Sequence, residues 1–262
     1  MLKKRLIFTL LFSDGNFMLS RNFKLQKVGD LNWLNKNYNF SKISFFIDEL
    51  IILDVSRNSK DFDCFCSQVK TLTKNCFVPI SAGGGIDSLK KAKTLLRSGA
   101  DKIVINSLLD NDIDMVNNLA KTFGNQCIVA SIDIKKENES FKVVTKNGTK
   151  TIPENATEWI KKIQKLPVGE IYLNSIDRDG TGQGLLIDIL DQVPNDFTLP
   201  IILSGGVGYE DHIFEGLSDE RVNAVSTAHL LNFIGDGLKN ARNALINKSF
   251  NLAKWDNEDC KN

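Results

Sequence analysis

The sequence predicts a closed α/β barrel made of eight strand-then-helix units, and three observations favour this fold. Short apolar runs alternate with longer segments of helical periodicity along the chain. The 262 residues are close to the roughly 250 that such a barrel uses as a single domain. Segments offset by 121 residues match each other without a gap, which is the spacing expected if four units were duplicated.

The apolar runs are the predicted strands, because a strand buried on both faces of a parallel sheet has a continuous apolar sequence. The strands are expected at residues 5–12, 49–54, 78–82, 102–105, 126–133, 169–175, 200–204 and 222–227. The helices are expected near residues 30–40, 61–75, 87–98, 111–122, 154–165, 185–193, 209–217 and 234–247. Asp87-Ser88 and Asp110 provide start signals for two of them.

The internal repeat aligns Glu49 with Glu170 and Gly84-Gly85 with Gly205-Gly206. We therefore predict a (βα)8 TIM barrel built from two fused half-barrels, with residues 1–250 forming a single domain. An Asn147-Gly148 pair predicts a β-hairpin near residues 139–152, inserted after the fifth strand. Residues 251–262 are expected to form a C-terminal tail.

The composition is that of an ordinary globular protein, with 42% hydrophobic and 25% charged residues. The net charge of +1 gives no electrostatic reason to expect a nucleic-acid or membrane partner. No run of about 18 apolar residues is present, which argues against a transmembrane helix. The apolar run at residues 6–12 ends at Asp14-Gly15, so we interpret it as a strand and not as a signal peptide.

The five cysteines are an odd number without regular spacing, which favours reduced thiols in a cytoplasmic protein. Cys64 and Cys66 form the one close pair, and neither a second pair nor a neighbouring histidine completes a zinc site. We therefore predict no metal site. None of the cysteines has the setting of a glutaminase nucleophile, and the histidines are His212 and His229.

Two glycine-rich turns are candidate phosphate sites, because glycine lets the backbone approach an anion and the next helix offers free N–H groups. Gly83-Gly84-Gly85 follows the third strand, and Ser204-Gly205-Gly206 follows the seventh. The residues expected to complete the two sites are Asn106, Ser107, Asp179, Gly180 and Thr181. Two such sites across the barrel mouth predict a substrate with a phosphate at each end. Plain turn chemistry at both places is the alternative.

Several motifs together resemble the cyclase subunit of imidazole glycerol phosphate synthase. They are Asp14-Gly15, Asn22-Phe23, Gly83-Gly84-Gly85-Ile86, Ala100-Asp101-Lys102, Ile105-Asn106, Ser175-Ile176-Asp177-Arg178-Asp179-Gly180-Thr181 and Ser204-Gly205-Gly206. The resemblance covers residues 1 to about 250 and implies a two-phosphate barrel that receives ammonia from a separate glutaminase through its interior. It further implies addition of that ammonia to a ribulosyl formimino ribonucleotide, followed by imidazole ring closure.

The resemblance also implies two catalytic aspartates at the mouth, and this chain carries one of them. Asp133 matches the second position, whereas the first falls on Leu11 and the expected loop lysine falls on Leu19. Leucine cannot transfer a proton, and loss of such a group typically costs about 10²–10⁴ in rate. Asp14 is interpreted as a turn cap. The remaining candidate substrate contacts are Asp54, Ser175, Asp177, Ala228 and His229.

Arg5, Glu49, Lys102 and Glu170 lie at the amino ends of four strands, where alternation can point them into the barrel. They match the family's charged ring at the ammonia entrance, although a stabilising salt-bridge plug is the alternative. The partners implied are a glutaminase at the N-terminal face and an ATP-dependent sugar amidotransferase; no cofactor is expected.

Three functions remain open. The first is a paralogue that delivers ammonia for amidination of a surface-polysaccharide sugar. The second is an authentic histidine-pathway cyclase. The third is a scaffold that activates a glutaminase without chemistry of its own.

Overall fold

The computed structural model describes residues 3–38, 40–57, 60–74, 76–138, 140–229 and 231–253. The strands are β1 (Arg5–Ser13), β2 (Asn16–Arg21), β3 (Lys24–Gly29), β4 (Glu49–Asp54), β5 (Ile80–Gly83), β6 (Lys102–Ile105), β7 (Ile128–Glu137), β8 (Ser140–Thr145), β9 (Lys150–Asn155), β10 (Glu170–Ser175), β11 (Ile201–Ser204) and β12 (Val222–Thr227). The α-helices are α1 (Leu31–Asn37), α2 (Phe40–Ile43), α3 (Phe62–Thr73), α4 (Leu89–Arg97), α5 (Leu108–Asn111), α6 (Ile113–Phe123), α7 (Ala156–Gln164), α8 (Glu210–Ser218) and α9 (Gly237–Asn247).

Eight of these strands close into a parallel barrel. Their order around the barrel is β1, β4, β5, β6, β7, β10, β11 and β12, and β12 pairs with β1 to complete the circle. Helices or helical turns follow the strands and cover the outside. The predicted (βα)8 TIM barrel is therefore confirmed. The starts of β4 and β10, and likewise of β5 and β11, lie 121 residues apart, as the repeat requires.

Local sequence explains where several helices begin. Asp30, Asp61, Ser88 and Asp112 each accept a hydrogen bond from a backbone N–H in the first turn of the helix that follows. Asn155 and Glu158 form a capping box at the start of α7. Asp110, expected as a start signal, instead lies within α5 and pairs with Lys150.

Some predicted elements differ from the structure. The helix expected at 185–193 is a 3₁₀ helix, Ile187–Gln192. Pro194 restricts Val193 to an extended conformation, so the segment cannot continue as an α-helix. The helix expected near 30–40 is split into α1 and α2, whereas the helix expected near 111–122 is α6, which the additional short helix α5 precedes. The hairpin β2–β3, between β1 and α1, was not predicted.

A second antiparallel hairpin, β8–β9, extends from β7. Its turn contains Lys146, Asn147 and Gly148, all with positive φ. Most of the expected tail at 251–262 lies outside the described residues, but Leu252 is buried and Asn251 accepts a backbone hydrogen bond from Lys4. Among the described residues, the helices fall short of the length and apolar character needed to cross a bilayer.

Candidate active site

A cavity of about 260 Å³ opens at the carboxyl ends of the barrel strands. The β2–β3 hairpin, the loop after β4 and the β8–β9 turn contribute to its walls. The predicted site residues that line it are Asp54, Gly84, Gly85, Asn106, Ser107, Asp133, Asp179, Ser204 and Ala228. This location is where barrels of this type carry out chemistry.

Asp133 is held by two amide side chains. Asn106 donates to its Oδ2 and Asn174 donates to its Oδ1, both at 3.0 Å. Asn174 is the register partner of Asp133 on the neighbouring strand β10, which brings the two side chains together. Burial raises the pKa of Asp133 to about 6, although the two hydrogen bonds oppose this shift. A carboxyl group with this pKa can gain or lose a proton near neutral pH.

Leu11 faces the same cavity as Asp133 and is nearly buried, at 8% exposure. Its neighbours across the sheet are Leu53 and Met18. Asp14 does not replace a carboxylate here, because it lies in the β1–β2 turn, outside the residues that line the mouth, and accepts a hydrogen bond from Ser13 at 2.9 Å. The side of the mouth formed by the end of β1 is therefore apolar.

The first glycine turn lies beside Asp54 in the wall of the cavity. Gly84 and Gly85 have φ values of 120° and 77°, which L-residues with a side chain rarely adopt. A Cβ on Gly84 would lie 2.3 Å from the Asp54 carbonyl oxygen. A Cβ on Gly83 would lie 2.3 Å from the Val104 carbonyl oxygen. Gly83 does not line the cavity. Gly83 is thus needed for strand packing, whereas Gly84 and Gly85 reach the mouth.

A smaller cavity of about 20 Å³ lies at the second glycine turn. The predicted residues that line it are Asp179, Gly180, Ser204, Gly205, Gly206, Ala228 and His229, and Leu19 lies beside them. Nδ1 of His229 is buried without a hydrogen-bond partner among the described residues. Burial lowers the pKa of His229, so the neutral ring is favoured.

Asp179 connects this region to the β2–β3 hairpin. Its Oδ2 accepts hydrogen bonds from the Ser20 hydroxyl at 2.5 Å and the Phe23 amide at 3.0 Å. Burial raises the pKa of Asp179, and these two hydrogen bonds act in the opposite direction. In this structure the carboxylate therefore anchors the hairpin over the mouth.

Three further predicted residues line neither described cavity. Ser175 is 1% exposed and lies behind the strand end. Asp177 accepts a hydrogen bond from the Lys136 amide at 2.6 Å. Thr181 donates to the Arg178 carbonyl at 2.8 Å. The side chains of Asp177 and Thr181 thus stabilise loop structure beside the site.

Among the residues lining the main cavity that were not predicted from the sequence are Asn174, Arg57, Lys60 and Lys146. Strand alternation could have revealed Asn174, because it follows the inward-facing Tyr172 by two positions. The three cations lie on connecting segments, where periodicity gives no direction for a side chain.

At the opposite end of the barrel, four charged side chains form a closed ring. Arg5 donates to Glu49 at 2.8 Å and to Glu170 at 2.7 Å, and Lys102 contacts the same two carboxylates at 3.0 and 2.6 Å. Burial opposes ionisation of Arg5 and Lys102, yet the two carboxylates raise both pKa values. Arg5 and Lys102 in turn lower the pKa of Glu170 against the effect of burial. The described ring carries two positive and two negative charges.

The interior between the ring and the mouth has an apolar layer followed by hydroxyl groups. Along β1, the inward positions after Arg5 are Ile7, Thr9 and Leu11. Ile7 belongs to a buried cluster with Ile51, Val104, Val129, Tyr172, Ile202 and Ala224. Above it, Thr9 and Ser226 share a hydrogen bond of 2.6 Å, and Tyr172 and Ser204 share one of 2.7 Å. Tyr172 also lines the mouth cavity, so it links the two regions.

No group of three His, Cys, Asp or Glu side chains in the described part of the chain is arranged to hold a metal ion.

Comparison with known proteins gives consistent relatives. The histidine biosynthesis protein family matches residues 27–234. The chain is 47% identical over 256 residues to a Parasynechococcus marenigrum (strain WH8102) protein provisionally named imidazole glycerol phosphate synthase subunit hisF2, covering 97% of this chain and 95% of that protein. It is 34% identical over 246 residues to imidazole glycerol phosphate synthase subunit HisF of Pelodictyon phaeoclathratiforme (strain DSM 5477 / BU-1), with 94% and 96% coverage. The subunit HisF of Dehalococcoides mccartyi (strain ATCC BAA-2100 / JCM 16839 / KCTC 5957 / BAV1) is 35% identical over 234 residues, with 89% and 91% coverage.

Proposed function

The chain belongs to the histidine biosynthesis protein family, and we propose that it accepts ammonia from a separate glutaminase subunit and delivers it to a phosphorylated substrate at the barrel mouth. We assign this delivery to amidination of a surface-polysaccharide sugar. The proposal rests on a contrast between the two ends of the barrel. One end has a closed ring of charged side chains, whereas at the other end Leu11, and not a second carboxylate, faces the cavity that Asp133 lines.

We interpret the ring as an ammonia entrance because buried ion pairs contribute little net free energy to the stability of a barrel. Desolvation offsets much of the attraction in buried ion pairs, so apolar packing would stabilise the barrel at least as well. Ammonia is small and neutral, and it can exchange hydrogen bonds with Glu49, Glu170 and Lys102. Beyond the apolar layer, the hydroxyls of Thr9, Ser226 and Tyr172 offer the next polar contacts.

The chemistry at the mouth follows from one proton-transfer group. Addition of ammonia to an activated acetamido carbon forms a C–N bond and gives an adduct with a protonated nitrogen. This nitrogen must lose a proton before the C–O bond breaks and the oxygen leaves with the activating group that came from ATP. Asp133, with a pKa of about 6, can accept this proton near neutral pH. Ring closure with elimination needs a second group on the other side of the substrate, and Leu11 cannot supply it. The mouth therefore fits a single amination better than imidazole formation.

The two glycine turns are proposed to bind phosphate groups. Gly84, Gly85 and Ser107 face the larger cavity, and Gly206 and His229 face the smaller one. Backbone N–H groups at such turns and the unpartnered His229 ring nitrogen are suitable contacts for phosphate oxygens.

The partners proposed are a glutaminase at the N-terminal face and an ATP-dependent sugar amidotransferase. The glutaminase is proposed because a path that begins at the ring needs a source of ammonia at that face of the barrel. The amidotransferase is required because an acetamido carbonyl is a poor electrophile until its oxygen is activated.

A second candidate is the authentic cyclase of histidine biosynthesis, favoured by relatives that carry that name along nearly their whole length. This cyclase hypothesis requires the wild-type chain to convert the ribulosyl formimino ribonucleotide when ammonium salt replaces the glutaminase. The scaffold hypothesis instead requires Asp133→Asn to leave the assembled complex fully active.

The test of the proposal follows the source of the transferred nitrogen. The chain is purified with its glutaminase and amidotransferase and given unlabelled glutamine in a buffer containing ¹⁵N-ammonium. Mass spectrometry of the acetamidino sugar should show nitrogen from glutamine. Lys102→Trp should block the ring, so that glutamine hydrolysis continues while the product takes up ¹⁵N from solvent.

Lys135→Trp is the matched control, because Lys135 is exposed and pairs with Glu137 far from the ring. Val104→Phe provides a second block within the apolar layer in case Lys102→Trp does not fold. If both blocking variants fold and still transfer nitrogen from glutamine as the wild type does, ammonia does not pass through the ring and the apolar layer.

A further inference from the structure

Lys60 is a cation at the first glycine turn that neither the family resemblance nor the sequence pattern assigns a role. It follows β4 and faces the main cavity together with Gly84 and Gly85. Its side chain is 31% exposed, so it is partly covered but open to the mouth. Within the described residues, Leu11 and Leu19 leave the β1–β2 side of the mouth without a cation at those positions.

Lys60 lies across the turn and is fixed there by Asp54. Its Nζ donates to the Asp54 carbonyl oxygen at 2.6 Å and lies 3.7 Å from Asp54 Oδ2. A Cβ on Gly85 would lie 2.8 Å from Lys60 Cδ, so the missing side chain of Gly85 makes room for the lysine. The ammonium group has three hydrogens, and one of them is used in the hydrogen bond to the Asp54 carbonyl oxygen.

Asp54 is positioned to hold the lysine. Its side chain is buried at 1% exposure, and Oδ1 accepts a hydrogen bond from the Ser56 amide at 2.9 Å. Burial lowers the pKa of Lys60, and the neighbouring Asp54 opposes that effect. A bound anion, like Asp54, would raise the pKa of Lys60.

The other charges around the cavity leave this wall suited to an anion. Arg57 and Lys146 also face the cavity. Asp133 and Asp179, the other described carboxylates that line it, already accept hydrogen bonds from Asn106, Asn174, Ser20 and Phe23. Asp133 and Asp179 thus already have hydrogen-bond donors of their own, and the remaining N–H groups of Lys60 can contact a bound anion.

We propose that Lys60 binds the phosphate group of the substrate at the first glycine turn, with Asp54 as its positioning residue. This inference rests on the proposed phosphorylated substrate and identifies the ligand class as a dianionic phosphate monoester.

The test uses the full chain, inorganic phosphate and glycerol 3-phosphate, with backbone amide NMR as the readout. In the wild type, both probes should shift the amides of Gly84 and Gly85 and, separately, those of Gly205 and Gly206. Lys60→Met should weaken binding at Gly84 and Gly85 by about tenfold or more, because charged hydrogen bonds are worth more than neutral ones. The Gly205 and Gly206 response should stay unchanged.

Lys90→Met removes the same charge from an exposed position on α4 and should change affinity less than about twofold, as expected for a screened surface charge. Lys60→Arg should keep part of the binding, and Asp54→Asn should weaken it at Gly84 and Gly85 alone. Equal phosphate affinity in wild type and Lys60→Met would overturn the inference while leaving the phosphate proposal intact. Absence of any response at both turns in the wild type would instead overturn the proposed phosphorylated substrate, and this inference with it.

Discussion

The two ends of the barrel hold charge in different ways. At the ring, each of Arg5, Glu49, Lys102 and Glu170 contacts two side chains of opposite charge. At the mouth, Asp133 has amide partners and a pKa raised by burial, and His229 Nδ1 has no described partner. The four ring charges thus pair with one another, whereas Asp133 at the mouth is held by neutral amide groups.

Under the proposed function, the two ends differ because they would serve different groups. Ammonia would use the same entrance whatever the acceptor is, whereas the mouth would change with the acceptor. Leu11 and Leu19 lie at this end, as do the cations Arg57, Lys60 and Lys146.

The largest effect is expected at Asp133. Asp133→Asn should lower formation of the amidinated product by about 10²–10⁴, because it removes the described group suited to take the proton from the ammonia adduct. Product formation by the assembled complex is the measurement, with glutamine hydrolysis as the control that should persist. A fully active variant would support the scaffold hypothesis and remove Asp133 from the chemistry.

The next effect is expected at the ring. Glu170→Gln should lower the free energy of unfolding by about 3–5 kcal/mol, because it leaves the partly buried Arg5 and Lys102 with half of their counter-charge. Glu137→Gln is the control: Glu137 pairs with Lys135 at the surface and should change stability by less than about 1 kcal/mol. Chemical denaturation measures both. Similar values for the two variants would show that the ring is not a buried network.

A smaller effect is expected in the pH dependence of stability. The pKa of Asp133 is raised from 3.8 to about 6 in the folded state, so the folded chain binds more protons than the unfolded chain between these values. This residue's contribution to stability should therefore decline as pH rises from about 4 to about 6, by about 2–3 kcal/mol, and stay constant above.

Denaturation of wild type and Asp133→Asn across this pH range isolates the effect, because the difference between their unfolding free energies should follow the Asp133 titration. A difference that does not vary with pH would show that the Asp133 pKa is not raised.

Continuous apolar runs predicted the barrel strands, the match at an offset of 121 residues predicted the repeat, and alternation at the strand starts predicted the inward-facing ring. Glu49 and Glu170 point inward for the same reason that Ile51 and Tyr172 do. The 3₁₀ helix Ile187–Gln192 and the β2–β3 hairpin were missed because short polar segments carry weak periodicity.

Within the site, the limits are also physical. Asn174 contacts Asp133 through strand register, and Lys60 reaches Gly85 because a loop folds back onto Asp54. Strand alternation predicts that Asn174 points inward but not which residue it contacts, and the position of Lys60 depends on tertiary structure that residue spacing does not encode. The predicted Ser175 lies behind the strand end because side chains alternate, and Asn174 takes the inward place.

The central claim is that this mouth no longer performs imidazole ring closure. The most direct measurement is turnover of the ribulosyl formimino ribonucleotide by the purified chain with ammonium salt, compared with the double variant Leu11→Asp, Leu19→Lys. The account predicts no imidazole product from the wild type and a gain of turnover in the variant. Turnover by the wild type at the level of a histidine-pathway cyclase would contradict it.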